Sequence, residues 1–470
     1  MRKLSYSRST SATGWRLNNS SCLHLAPGVR RCRALDIDLH ALDVPDIDGD
    51  IKSVKQELGA VFNDAGIALT YGNARQAVAA AVDSGVALVD RSHWGRLRVT
   101  GEGRLSFLHN QSTNQFMANT RAGQGRDTVF VTATARVLDL ATALINESSV
   151  LLLVSPDSRQ RLLQRFDKYI FPADKVQVQD VTERCAMLTL VGPEAEVVLR
   201  EVAGESLTVL GQPYGTHQLV GFKGAPLVVA VGCGLHFPGY TLIVDEAQAG
   251  ELFGLLASKG CVLMGEEEWE VARLLSGRPA VGRELGEEVN PLEAGLHHAV
   301  SLDKGCYIGQ ETLSKLTNLN GVKQQLVSLT LSGPVEPGCD IESDEGVRLG
   351  RVTSVATTPD GQHIALGFMK CKSKGQQVEV AGAKVRVGST QATVGIPPFT
   401  TKTFAHQLDP GSAGPGADAK MMQAEEARKA KLAAAAAEAE AKAARLQAMQ
   451  ARLEAWKAQL TPTQGQGQQL

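Results

Sequence analysis

The alternation of apolar and polar residues predicts short strands mixed with isolated helices. Short apolar runs that end at turn residues predict strands at residues 86–90, 95–100, 128–132, 138–145, 150–154, 187–191, 227–231 and 240–244. Apolar residues at helical spacing predict helices at 101–111, 157–169, 193–202, 247–259 and 266–275. This mixture favours an α+β fold over a doubly wound parallel sheet, and we assign it to residues 61–321.

The pattern changes between residues 322 and 400. Strand-like runs alternate there with Gly and Pro turns, at 325–331, 347–353, 364–369, 377–380, 384–387 and 390–394. Regularly spaced short strands of this kind are typical of a small antiparallel β-barrel.

The C-terminal segment, residues 410–470, predicts a hinge and a long helix. Residues 410–415 are rich in Gly and Pro, whereas 420–460 are rich in Ala, Glu, Gln and Lys without Gly or Pro. Such a helix would be roughly 60 Å long. Leu446, Leu453 and Leu460 continue a seven-residue repeat, which is compatible with a coiled-coil partner or with a solitary solvated helix.

The N-terminal 35 residues are basic and rich in Ser and Thr, and they contain no Asp or Glu. This composition predicts an organelle transit peptide, for the chloroplast stroma or alternatively the mitochondrial matrix. A disordered basic tail is the other interpretation. Residues 36–60 alternate acidic and apolar residues and are predicted to be a linker that contains at most one short helix, at 52–60. Globular structure is expected to start near Val61.

Charge and cysteine spacing exclude several classes of function. Removal of the seven positive charges of residues 1–35 lowers the formal charge from −2 to −9, so nucleic-acid binding is not expected. No apolar run approaches the ~18 residues of a membrane-spanning helix, and we expect no membrane partner. The six cysteines after residue 35 are at least 28 residues apart, so no local metal site is predicted.

Residues 304–311, Lys-Gly-Cys-Tyr-Ile-Gly-Gln-Glu, concentrate the candidate chemistry. Their two glycines permit a tight turn and the close approach of a ligand. Lys304 lies two residues before Cys306, and a nearby ammonium favours the thiolate form of a cysteine. A functional Cys306 therefore competes with the common alternative, a buried and inert thiol.

This octet resembles the signature of the YgfZ-type folate-binding proteins of iron–sulfur cluster biogenesis, which are relatives of the glycine-cleavage T-protein (aminomethyltransferase). Residues 88–101, 273–279 and 290–296 are also similar to segments of that family. The resemblance covers roughly residues 61–400. It implies a T-protein-like α+β folate-binding region with a C-terminal barrel, tetrahydrofolate as cofactor, and iron–sulfur client or assembly proteins as partners.

The resemblance also implies roles for particular residues. Lys304 and Cys306 match the family motif and inherit its suspected chemical role. The remaining expected folate contacts are Gly305, Tyr307, Gln310, Glu311 and Arg273. A guanidinium can bind a folate carboxylate in bidentate fashion, but a structural ion pair is an equal alternative for Arg273.

The sequence departs from the T-protein at two positions. The T-protein has an Asp-Asp pair where this chain has Asp139 followed by Leu140, and a pterin-binding glutamate where this chain has Thr241. Both changes argue against aminomethyl transfer. The leading hypothesis is therefore a folate-dependent accessory factor for iron–sulfur proteins. A one-carbon transferase that uses Asp139 is the first alternative, and a non-catalytic scaffold that docks a partner through 420–460 is the second.

Overall fold

The computed structural model describes residues 50–118, 120–373, 376–377 and 380–408. The predicted transit peptide, the first part of the predicted linker, the hinge and the C-terminal helix lie outside the described residues and stay predictions. No helix in the described part is long and apolar enough to cross a membrane.

The described residues form eight α-helices and twenty-one strands. The helices are α1 Ile51–Glu57, α2 Ala74–Val82, α3 Arg104–Gln111, α4 Arg159–Tyr169, α5 Ala195–Ala203, α6 Glu246–Ser258, α7 Glu266–Ser276 and α8 Gln310–Asn318. The first ten strands are β1 Val61–Phe62, β2 Ala68–Thr70, β3 Ala87–Asp90, β4 Gly95–Thr100, β5 Gln124–Val131, β6 Val137–Ile145, β7 Ser149–Val154, β8 Gln177–Asp180, β9 Cys185–Val191 and β10 His217–Phe222. The others are β11 Ala225–Val231, β12 Gly239–Asp245, β13 Val262–Met264, β14 Gln324–Leu331, β15 Asp340–Glu342, β16 Arg348–Thr357, β17 His363–Lys370, β18 Lys372–Ser373, β19 Gln376–Gln377, β20 Lys384–Val387 and β21 Thr390–Gly395.

Two sheets form the body of the protein. The six-stranded sheet has the order β10-β11-β12-β9-β3-β13, and the five-stranded sheet has the order β5-β6-β7-β4-β8. Only the β3–β13 pair is parallel among the named pairs of these sheets. Helices α1, α5 and α6 pack on one face of the six-stranded sheet, and α3 and α4 pack on one face of the other. A smaller apolar cluster that includes Leu144, Leu153, Met187 and Ile243 joins the two sheets.

The third unit is a closed antiparallel barrel, as the sequence predicts, but one of its six strands differs. The order is β14-β17-β16-β15-β20-β21. Of the predicted strand at 377–380, Gln377 lies outside the barrel sheet, because Gln376–Gln377 pairs with Lys372–Ser373 in a separate hairpin. Its place is taken by Asp340–Glu342, which is too short to give a recognisable alternation. Its single apolar side chain, Ile341, is fully buried inside the barrel.

Ordered structure begins before Val61, which corrects the predicted linker boundary. The Asp50 side chain accepts a hydrogen bond from Ser53 N–H at 2.8 Å and caps α1. Ile51 and Val54 of that helix are buried in the main core. The Lys55 ammonium forms a buried ion pair with Asp90 at the end of β3. Helix α1 is therefore an integral part of the folded body.

Candidate functional site

The octet forms a surface loop that leads into α8, and its thiol is accessible. Among the six cysteines that the structure describes, Cys306 alone is exposed. The loop is fixed at Ile308, whose N–H donates to Asn110 O at 3.1 Å. Cys306 is therefore neither buried nor sealed in an apolar core.

Lys304 has a different role from the one expected. Its ammonium donates hydrogen bonds to three backbone carbonyls at the end of α3, those of His109, Ser112 and Asn114, at 2.5–2.8 Å. These carbonyls are partly left without intrahelical donors, so Lys304 caps the helix. Burial lowers the pKa of Lys304 to about 7. Because its three donors are committed to carbonyls, the structure does not support Lys304 as the ammonium that activates Cys306.

The end of the octet is shaped by Gly309. Its φ of +86° lies in the left-handed region, and a Cβ there would come within 2.8 Å of Val131 Cγ2 on β5. Glycine is the residue that meets both conditions without strain. The octet therefore needs Gly309 for close packing of the loop against the second sheet.

The other expected folate contacts in the octet are engaged locally. Gln310 Oε1 accepts a hydrogen bond from the N–H of Tyr307, whose ring is buried in a small apolar cluster. Glu311 is exposed and forms an ion pair with Lys315 one helical turn later. In the described part of the chain, neither these residues nor Gly305 line the central cavity described below. The structure thus separates the octet from that cavity.

Arg273 is a structural residue, which corrects its assignment as a folate contact. Its guanidinium donates to both carboxylate oxygens of Glu270, to Glu284 Oε2, to Arg278 O and to Ser354 Oγ, at 2.6–3.0 Å. All five N–H donors are thereby occupied. Because Ser354 belongs to β16, this buried network ties α7 to the barrel. No donor is left for a ligand carboxylate.

Asp139 is fully buried and bound to the backbone turn after β7. Its carboxylate accepts hydrogen bonds from Ser155 N–H at 3.0 Å and from Ser155 Oγ at 2.7 Å. Burial raises the pKa of Asp139 to about 7, and the Ser155 hydrogen bonds oppose this shift. Successive side chains on a strand point to opposite faces, and it is the next residue, Leu140, that lines the cavity. The structure therefore does not place Asp139 at the cavity, as the transferase hypothesis requires.

A cavity of about 50 Å³ lies between the two sheets. Its apolar wall includes Leu140, Leu144 and Met187. Its polar and aromatic wall comprises Arg91, Trp94, Thr142, Thr189, Tyr214, Thr241, Trp269 and Arg278. A concave site with an apolar wall and a few converging polar groups is the usual form of a ligand site.

A buried carboxylate lies directly behind this cavity. Asp127 on β5 is the register partner of Thr142 on β6. Its Oδ1 accepts hydrogen bonds from Thr142 Oγ1 at 2.6 Å and Tyr214 OH at 2.8 Å, and His298 Nε2 lies 3.5 Å from Oδ2. Burial alone would raise the pKa of Asp127, but the contacts with His298, Thr142 and Tyr214 lower it overall. The pocket thus has a carboxylate next to it, although position 140 is Leu.

Sequence reasoning missed most of these cavity residues. Arg91, Trp94 and Arg278 lie inside the family-like segments but were given no role of their own. Asp127 immediately precedes the predicted strand 128–132, and a single acid at the edge of an apolar run does not stand out. Its burial, which only the tertiary structure shows, identifies Asp127, because a buried carboxylate needs partners across the sheet.

Comparison with known families and proteins finds similarity to aminomethyltransferases. The profile of the family described as "GCVT N-terminal domain" matches residues 52–304. The chain is 40% identical over 361 residues to the chloroplastic "Putative transferase" of Arabidopsis thaliana, across 76% of this chain and 81% of that protein. It is 28% identical to an aminomethyltransferase of Streptomyces avermitilis, across 72% of this chain and 92% of that protein.

One solved structure supports the fold. The glycine cleavage system aminomethyltransferase T from Bartonella henselae superposes with a TM-score of 0.64 at 22% sequence identity. The match covers 75% of this chain and 97% of that chain. The two sheets and the closed six-stranded barrel are therefore those of the T-protein fold.

The ionisation of Asp139 generates a testable prediction. Its pKa is about 7 in the folded protein and near 3.8 when unfolded, so the native state binds more protons between those values. Wild-type stability should therefore fall as the pH rises from about 4 to 7. We expect Asp139→Asn to remove this loss, so that the mutant gains roughly 3–4 kcal/mol relative to wild type between pH 4.5 and pH 8. Urea unfolding of both proteins across this range measures it, and parallel pH curves would contradict it.

Proposed function

The chain belongs to the GCVT family of aminomethyltransferase-like proteins, and from this premise we propose that it is a plastid accessory factor for iron–sulfur proteins. Cys306 is its reactive group in this proposal, and iron–sulfur client or assembly proteins are its partners. The chloroplastic relative supports the plastid as its location. The resemblance of the octet to the YgfZ-type signature supports the iron–sulfur role.

The observation that carries the proposal is the accessibility of Cys306. The other described cysteines are buried or half-buried, whereas this thiol stands on a loop whose flanking residues are fixed to α3 and β5. Thiolates are preferred ligands of iron–sulfur clusters and are also the reactive form toward oxidised sulfur. An exposed thiol on a rigid loop can therefore approach a cluster or a cysteine of a partner protein.

Position 140 also supports an accessory role over aminomethyl transfer. The T-protein has a carboxylate there, and this chain places the apolar side chain of Leu140 in the cavity wall. An apolar side chain can neither stabilise a developing positive charge nor accept a proton. This protein therefore lacks, at position 140, the acidic group that aminomethyl transfer uses in the T-protein.

Tetrahydrofolate, the cofactor that the family implies, fits the cavity only in part. The rings of Trp94, Trp269 and Tyr214 suit a flat aromatic ligand. The N–H donors of a pterin need a carboxylate acceptor, and Thr241 stands where the T-protein has glutamate. The Thr241 hydroxyl already donates to Gly232 O at 2.7 Å. We therefore propose weak folate binding and route no chemical step through the cofactor.

Complementation tests the role of Cys306. In a bacterial strain that lacks its YgfZ-type protein, residues 50–470 of this chain should restore the activity of an iron–sulfur dehydratase. Because only the exposed thiol can reach a partner, Cys306→Ser should lower the restored activity by about tenfold or more, at equal protein levels. Cys339→Ser, which changes a half-buried barrel thiol, is the matched control and should restore activity. Full rescue by Cys306→Ser would refute the proposed role of the thiol.

Replacement of Thr241 tests the folate part. Thr241→Glu restores a carboxylate opposite the pterin donors, and we expect it to bind tetrahydrofolate about tenfold more tightly than wild type. Thr241→Gln has a similar size without the charge and should give no comparable gain. Anaerobic calorimetry measures the affinities, and thermal unfolding verifies that both variants fold. Equal affinities of the Glu and Gln variants would argue against a pterin in this cavity.

A second candidate, folate-dependent aminomethyl transfer, is favoured by Asp127. This carboxylate accepts hydrogen bonds from Thr142 and Tyr214 of the cavity wall. If the protein forms methylene-tetrahydrofolate from an aminomethyl donor, Asp127→Asn should reduce turnover at least about a hundredfold. Asp139→Asn should retain it, since Asp139 accepts its hydrogen bonds from Ser155, which is not part of the cavity wall. Absence of turnover by the wild-type protein with several donors would remove this candidate.

A further inference from the structure

We propose that the central cavity is a binding site for a small carboxylate, held by the guanidiniums of Arg91 and Arg278. This inference goes beyond the iron–sulfur role, which rests on Cys306 and requires no anion in the cavity. It rests on the burial of both arginines, on their incomplete hydrogen bonding, and on their common position in one cavity wall.

Arg91 is buried without adequate partners. Its side chain is only 4% exposed, and in the described part of the chain no acceptor lies within hydrogen-bond distance of Nε or Nη1. The nearest carboxylate oxygen, Glu266 Oε1, is 3.8 Å from Nε and itself has no hydrogen-bond partner. Arg91 and Glu266 thus form an ion pair, but the distance exceeds that of an N–H···O hydrogen bond, so Nε and Nη1 donate to no acceptor among the described residues.

Arg278 shows the same deficiency on the other side of Trp94. The residue is 7% exposed. Within the described residues, the one hydrogen bond of its guanidinium is a long contact from Nη1 to Pro279 O, at 3.4 Å. The negative charges of Asp127 and Asp139 favour the charged form of Arg278, but neither carboxylate accepts a hydrogen bond from it. A second buried cation is therefore presented to the cavity.

Two indoles hold these guanidiniums in place. The Arg91 Cζ lies 4.5 Å from the ring centre of Trp94 and 3.8 Å from that of Trp269. The Arg278 Cζ lies 5.0 Å from the same Trp94 ring. Stacking on aromatic faces fixes the planes of both groups but leaves their N–H edges free. The positive charges of Arg91 and Arg278 repel each other. An anion bound between them would relieve this repulsion.

Arg273 provides the internal comparison. It is equally buried, only a few residues from Arg278 along the chain, and all five of its donors find protein acceptors. A buried arginine that only supports the fold is thus fully paired here. Burying a charge whose hydrogen bonds are incomplete is costly, so the N–H donors of Arg91 and Arg278 that have no acceptor among the described residues indicate an anionic ligand.

Shape and wall chemistry specify the class of anion. A carboxylate presents two coplanar oxygens that match the N–H fork of a guanidinium. The cavity of about 50 Å³ admits only a small group, such as a short acid or a single carboxylate of a larger ligand. The apolar side chains of Leu140, Leu144 and Met187 would contact the short carbon chain. The carboxylate is either that of a free small acid or one belonging to a folate.

Thermal unfolding of the full-length protein tests the site. We expect 100 mM sodium acetate to raise the Tm of wild type by about 3 °C or more above its value in equal sodium chloride. Equal acetamide, the neutral analogue of acetate, should give no such rise. Arg91→Met and Arg278→Met should abolish the acetate response yet melt, without acetate, at or above the wild-type Tm, because each removes a buried guanidinium whose N–H donors partly lack acceptors among the described residues.

Two further variants control for indirect effects. Arg200→Met changes a solvent-exposed arginine of helix α5, away from the cavity, and should keep the full acetate response. Arg278→Lys keeps the charge but loses the fork, and should reduce the response without abolishing it. No response of wild type, an equal response to acetamide, or unchanged responses in both Met variants would overturn the proposal.

Folate compounds distinguish the source of the carboxylate. If the acetate response persists with saturating tetrahydrofolate, the ligand is a free small acid. If tetrahydrofolate removes the response and 6-methyltetrahydropterin, which has no carboxylate, does not, the folate supplies the carboxylate. If both compounds remove the acetate response, the pterin ring itself covers the guanidiniums, and the assignment of a carboxylate is overturned. Because none of these measurements depends on Cys306, their failure would leave the complementation result unaffected.

Discussion

A buried charge must be compensated, and the way each one is compensated distinguishes the structural residues of this protein from those available to a ligand. The pair Lys55–Asp90 joins α1 to β3, and the five hydrogen bonds of Arg273 join α7 to the barrel. The Lys304 ammonium satisfies three carbonyls at the end of α3. These groups are complete within the protein. Arg91 and Arg278 are buried as well, but part of their N–H donors have no acceptor among the described residues.

This distinction separates the molecule into two candidate centres. One is the exposed thiol of Cys306, on a loop anchored by Lys304 on one side and by Gly309 on the other. The other is the cavity between the two sheets, in which no residue of the octet takes part among the residues that the structure describes. Strand β5 contributes to both, since Gly309 packs on Val131 and Asp127 lies on the same strand. Chemistry at the thiol and ligand binding in the cavity therefore need separate experiments.

The cavity combines a family fold with a wall chemistry of its own. Its architecture is that of the T-protein, with two sheets and a barrel. Leu140 and Thr241 lie in its wall together with Arg91 and Arg278, so the described lining presents two guanidiniums and no carboxylate. Function follows from such local chemistry more than from the fold that carries it.

The sequence alone determined most of the longer helices and strands of the body and membership of the aminomethyltransferase-like family, but it predicted neither α2 nor α8 and missed β8, β10 and β13. Helix α4 and strand β4 were predicted within two residues, because long apolar periodicities reflect burial directly. The octet was found because its residue order is itself the signal. Only the tertiary structure decided that Asp340–Glu342 closes the barrel and that Lys304 caps a helix. It also brought together Asp127 and Arg278, which are 151 residues apart, in one site. A side chain's partners depend on which strands and loops meet in space, and hydrogen bonding between residues distant in sequence leaves no local periodic trace.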